Sequence, residues 1–100
     1  MRIYSYYVSF EEMDGGKVIS QLEEFLRGKY NCFLEANSIS GDVRIIDTPI
    51  SVEHLNDLEK ILGAVDPNWA KIEFSGSKYV DEASDVEDYK KKAAEFAKSS

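Results

Sequence analysis

The opening stretch Arg2–Phe10, Arg-Ile-Tyr-Ser-Tyr-Tyr-Val-Ser-Phe, constrains this chain more than any other. Successive side chains of a strand point to opposite faces, so Tyr4, Tyr6, Val8 and Phe10 share one side. Ile3, Ser5, Tyr7 and Ser9 take the other. One face is made wholly of β-formers and the opposite face is mixed, which describes a strand buried on one side and partly covered on the other. The stretch therefore reads as the central strand of a small sheet.

The remaining segments supply the neighbours. Glu11-Glu12-Met13-Asp14-Gly15-Gly16 reads as an acidic turn with Asp14 as an N-cap. A helix follows to about Lys29, its apolar face formed by Val18, Ile19, Leu22, Phe25 and Leu26, with Gly28 suited to a C-terminal cap. Tyr30–Ile39 alternates as a second strand. Ser40-Gly41-Asp42 reads as a turn and Val43–Ile46 as a third strand, together a hairpin that ends before Thr48-Pro49. Ser51 caps a second helix through about Leu62, with Leu55, Leu58, Ile61 and Leu62 inward and Gly63 at its C-terminal cap. Trp69–Ser75 alternates again, with Ala70, Ile72 and Phe74 on one side. Gly76-Ser77 carries a two-residue hairpin signature, which predicts a short fifth edge strand at Lys78–Val80. Ser84-Asp85-Val86-Glu87 has the capping-box pattern and opens a last helix with the stripe Val86, Tyr89, Ala93 and Phe96.

With 100 residues the chain has room for a single domain, 1–100, with one core. The order strand, helix, strand, strand, helix, strand resembles the ferredoxin-like α+β arrangement, a βαββαβ split-βαβ sandwich with antiparallel sheet order 4-1-3-2. That resemblance implies that the first two helices cover one sheet face over Tyr4, Tyr6, Val8, Phe10, Leu34, Ala36, Val43, Ile45, Ile72 and Phe74. The opposite face would carry Tyr7, Phe33, Arg44, Ile46, Trp69 and Lys71, covered by the last helix or by another chain.

Charge and ligand chemistry narrow the function. Nineteen acidic and 12 basic side chains give a formal charge of -7 and a pI near 4.6. Such a field repels phosphate and argues against direct binding of nucleic acid or anionic membrane, while it speeds encounter with a basic protein. One His and one Cys cannot build a structural zinc site, and the acidic runs lack the calcium-loop spacing. No cofactor is expected. Gly15-Gly16-Lys17 lacks the spacing of a phosphate loop and follows Glu11, Glu12 and Asp14. Acylphosphatases share the element order but need an arginine in this first loop, and copper chaperones of the fold need a Cys-x-x-Cys pair there. RNA-recognition domains need an aromatic on the third strand, where this chain has Val43-Arg44-Ile45-Ile46.

One catalytic constellation is left, a Cys32 thiolate with His54 and Asp47 as its orienting carboxylate. The alternation of Cys32 with Leu34 and Ala36 favours a buried, unreactive thiol instead. The opening residues show neither a basic n-region nor an apolar h-region, which predicts a cytoplasmic protein. The expectation is therefore a non-enzymatic, acidic interaction module that binds and inhibits or regulates a basic protein, a nucleic-acid-handling enzyme being the narrower version of the idea. An inhibitor, an immunity protein or a phage anti-defence protein works in this style. Its contact residues would be Tyr7, Phe33, Glu35, Arg44, Ile46, Trp69 and Lys71, with acidic recognition by Glu11, Glu12, Asp14, Asp81, Glu82 and Asp85. The alternative is a small homodimer, sheet to sheet, with a ligand pocket or a cofactor-free active site.

Overall fold

In a computed structural model, residues 1–9, 15–36, 40–65 and 71–98 are described. They form β1 (Arg2–Ser9), α1 (Gly15–Leu26), β2 (Cys32–Ala36), β3 (Ser40–Ile46), α2 (Val52–Val65), β4 (Lys71–Tyr79) and α3 (Ala83–Lys98). The four strands make an open sheet in the order β2-β3-β1-β4, every neighbouring pair antiparallel. The opening strand is an inner strand of the sheet, paired with β3 on one side and β4 on the other.

The inner face packs on α1 and α2. Tyr6 and Val8 of β1, Cys32 of β2, Val43 and Ile45 of β3 and Ile72 of β4 join Val18, Leu22, Phe25, Leu26, Leu58 and Leu62 in one cluster. Each of these aliphatic side chains, taken from water, contributes roughly 1.5–3 kcal/mol before chain entropy is charged against it. Ile50, just outside β3, is buried with them, and its N–H donates to the Tyr6 hydroxyl at 3.0 Å. That bond satisfies a polar group in an otherwise apolar layer.

Several local expectations shift. The Ser40-Gly41-Asp42 turn is instead the start of β3, with Gly41 opposite both Ala36 and Val8. Helix α1 stops at Leu26, and Gly28 takes the left-handed backbone (φ 87°) that turns the chain toward β2. The Ser51 hydroxyl accepts the His54 N–H at 3.1 Å, the N-cap bond expected there. Gly63 does not end α2, which continues to Val65. Helix α3 begins at Ala83, with Glu82 accepting the Val86 N–H, so Ser84 lies inside the first turn and not at the cap. Asp14, the other expected cap, is outside the described residues, as are Phe10, Trp69 and Ala70.

No fifth strand forms at Lys78–Val80. Gly76-Ser77 lies within β4, where a bulge opposite Ser5 and Tyr6 shifts the register. Phe74 faces Tyr6 before the bulge and Ser77 faces Tyr4 after it. One extra residue thus exchanges the faces of the strand's second half, bringing Tyr79 to the inner side and Lys78 to the outer side. Phe74 and Ala36, expected in the core, are exposed on the two edge strands, Phe74 at 55%.

Candidate functional site

Strand pairing arranges the outer face in rows that cross the sheet. The first row, Ile46-Ile3-Lys78, lies nearest the β1 N-terminus. The next is Phe33-Arg44-Ser5-Gly76, followed by Glu35-Asp42-Tyr7-Glu73 and then Ser40-Ser9-Lys71.

Helix α3 takes the first two rows. Ile3, Ile46, Val80 and Ala93 are buried together, with Met1, Val86 and Tyr89 packed around them. The Phe33 and Tyr89 rings lie 5.6 Å apart, and the Lys92 ammonium sits over Phe33. At its far end α3 turns the β2 edge: the Phe96 carbonyl accepts from Arg27 Nε at 3.0 Å, and the guanidinium stacks on the Phe96 ring. The stripe Val86, Tyr89, Ala93, Phe96 is the face that does this. Phe33 and Ile46, expected on an uncovered surface, are only 4% and 3% exposed and cannot meet a partner in this arrangement. The reason is that α3 is long enough, at 16 residues, to cross from β4 to β2.

The third and fourth rows stay open. Tyr7 is 37% exposed and stands between Asp42 and Glu73 on the neighbouring strands. Each carboxylate of that row has a nearby cation: Glu35 with Lys92 at 3.7 Å, Asp42 with Arg44 at 3.9 Å, Glu73 with Lys71 at 3.3 Å. These pairs are long and wet, the carboxylates being 54%, 45% and 53% exposed. Such pairs contribute only about 0–1 kcal/mol each. They can exchange partners at little cost. Arg44 is the exception, held more firmly by donating to the Ser5 hydroxyl at 2.5 Å.

The structure therefore divides the expected contact set. Tyr7, Glu35, Arg44 and Lys71 come together, while Phe33 and Ile46 are sealed beneath α3. Trp69 lies outside the described residues. Asp81, Glu82 and Asp85 are exposed but follow the far end of β4, away from Tyr7. Glu11, Glu12 and Asp14 are also outside the described residues. Asp42 and Glu73 complete the row and were missed by sequence reasoning. Both are simple alternation partners of Tyr7 once the register is known, but register is invisible without the pairing.

The thiol constellation is not assembled. Cys32 is 1% exposed, and burial pushes its pKa up to about 12, against a smaller lowering by Arg27. The His54 ring is bonded through Nδ1 to the Tyr30 hydroxyl at 2.6 Å and packs edge-on against Phe25. Asp47 faces elsewhere. Its backbone N–H donates to the Arg2 carbonyl at 2.8 Å, and its carboxylate accepts the Arg2 N–H, closing the end of β3 at φ 68°. A thiol that stays protonated is a poor nucleophile and a poor metal ligand.

A groove of about 420 Å³ runs between α3 and the β2 edge, lined by Phe33, Leu34, Glu35, Lys92, Glu95 and Phe96. Among the described residues, no three His, Cys, Asp or Glu side chains gather as a metal site would. No helix there is long and apolar enough to cross a membrane. No family model, no curated protein and no solved structure matches this chain.

Proposed function

We propose that this protein acts by binding rather than by catalysis, as an acidic module that occupies a basic surface of another protein and regulates or inhibits it. An inhibitor, an immunity protein or a phage anti-defence protein works in this manner. The observation that carries the reading is the row Glu35-Asp42-Tyr7-Glu73 on the open part of the outer face. A half-exposed tyrosine is a rigid anchor of the type that dominates binding energy at interfaces. Flanking carboxylates with loose internal ion pairs can re-pair with a partner's guanidinium or ammonium groups. The net charge of -7 steers a cationic partner toward the molecule from a distance. The element order and the strand order β2-β3-β1-β4 support reading the scaffold as a ferredoxin-like split-βαβ sandwich with an added third helix.

The test is a chemical-shift titration of the isotope-labelled protein with an arginine-rich peptide, at low and at high salt. Shifts confined to Ser5–Ser9, Glu35, Asp42 and Lys71–Glu73, and weakened by salt, are expected. Shifts centred on Asp81, Glu82 and Asp85, or no shifts at low salt, contradict the reading.

A further inference from the structure

The two edges of the sheet are finished differently. On the β2 edge, α3 reaches over the strand through Lys92-Glu35 and around it through Phe96-Arg27. On the other edge β4 offers nine residues with no further strand beside them among the described residues. An unprotected edge is a template for another strand. This edge also carries two of the large exposed hydrophobic side chains, Phe74 at 55% and Tyr79 at 64%.

The occupant follows from the pattern along β4 itself. In a two-fold antiparallel pair, residues directly opposite each other must point to the same face. The bulge exchanges the faces of the two halves of β4, so residues before it can face residues after it with matching orientation. Centring the two-fold axis between Ser75 and Gly76 sets Glu73 opposite Lys78 on the outer face. It sets Phe74 opposite Ser77 and Ile72 opposite Tyr79 on the inner face. Symmetry repeats each pairing, giving two Glu73-Lys78 ion pairs and two apolar neighbours for the exposed Tyr79 rings from one register. Gly76 at the axis carries no side chain to obstruct a second strand. The internal partners of both charges are weak: Glu73 is paired with Lys71 in solvent, and Lys78 lies 5.3 Å from the Tyr89 ring centroid.

We propose that β4 pairs edge to edge with β4 of a second copy of this chain, joining the two sheets into one continuous eight-stranded sheet. Glu35, Asp42 and Tyr7 of the outer-face row remain open on both copies, while Glu73, the β4 end of that row, turns to the second copy, so the dimer does not depend on partner binding.

Sedimentation velocity over a concentration series tests this, with wild type, Glu73→Lys, Lys78→Glu and the Glu73→Lys/Lys78→Glu double variant. Thermal melts first establish that each variant, altered only at exposed positions, stays folded. The wild type is expected to move toward the mass of two chains as concentration rises. Each single variant sets like charges opposite each other and should weaken dimerisation at least tenfold, and the double variant should restore it. A wild type that remains monomeric throughout overturns the proposal. So does a dimer indifferent to both single variants, or one abolished by Tyr7→Ala, which would mark pairing through the outer face.

Discussion

At the Arg2 end of the outer face, Ile3, Ile46 and Phe33 lie under α3. At the Ser9 end, the same strands carry Glu35, Asp42 and Tyr7 into solvent, joined by Glu73 of β4. Backbone pleat and strand order are common to both ends. What differs is the side-chain chemistry two residues along β2 and four along β1 and β3, and the helix that the apolar end recruits. A face that sequence alternation treats as one surface is in fact two, one serving stability and the other available for contact.

The difference is open to substitution, and the largest effect is expected where α3 docks. Ala93 is 2% exposed among Ile3, Ile46 and Val80, and Ala93→Glu places a carboxylate there without a partner. A loss of about 3–5 kcal/mol is expected from burying an unpaired charge, read as a lower urea midpoint. Residues 83–98 should also become sensitive to protease. Phe33→Ala removes the ring beneath Tyr89 and should cost about 3 kcal/mol. Unchanged stability in either variant would erase the distinction between the two ends.

A smaller effect is expected on the inner face. Tyr6→Phe strands the buried Ile50 N–H and should cost about 1–2 kcal/mol. Burial raises the Tyr6 pKa above its ordinary value of 10.0, against a smaller lowering by its bond to Ile50. Folding therefore favours the protonated phenol. The sign follows: this contribution is intact below pH 10.0 and is lost as pH rises through the higher folded value. Part of the wild-type loss of stability in alkali should be missing in Tyr6→Phe. By the same logic the Cys32 thiol should resist iodoacetamide at pH 8 (about one unit below an ordinary thiol) and react once urea unfolds the chain. The smallest stability effect belongs to the open end, where Tyr7→Ala should fall within about 1 kcal/mol of wild type.

How far these features are legible in the sequence depends on the range of the signal. Alternation in Arg2–Ser9 identifies the central strand and assigns its faces, because that signal is local. The stripes of α1 and α3 likewise name the residues that pack, from Val18 to Leu26 and from Val86 to Phe96. Alternation also places Phe33 and Ile46 on the outer face, yet it cannot say that α3 covers them, since covering depends on the direction of a helix after Val80. Gly76-Ser77 has hairpin chemistry and is nonetheless part of a bulged strand: β1 continues beside it to Arg2, and those ladder bonds outweigh a local turn preference. The row around Tyr7 is half visible. Alternation puts Glu35 and Glu73 on the same face as Tyr7, whereas Asp42 is hidden by a turn-like Ser40-Gly41-Asp42, and only the register sets the three carboxylates in line with Tyr7.

The contact role of the open end is tested most directly by calorimetric titration of an arginine-rich peptide into three proteins at one ionic strength. These are the wild type, Tyr7→Ala, and an Asp81→Asn/Glu82→Gln/Asp85→Asn variant. Tyr7→Ala is expected to weaken binding at least tenfold, about 1.4 kcal/mol, while the triple neutralisation changes it twofold at most. The opposite ranking, with Tyr7→Ala silent and the triple variant crippled, would contradict the account.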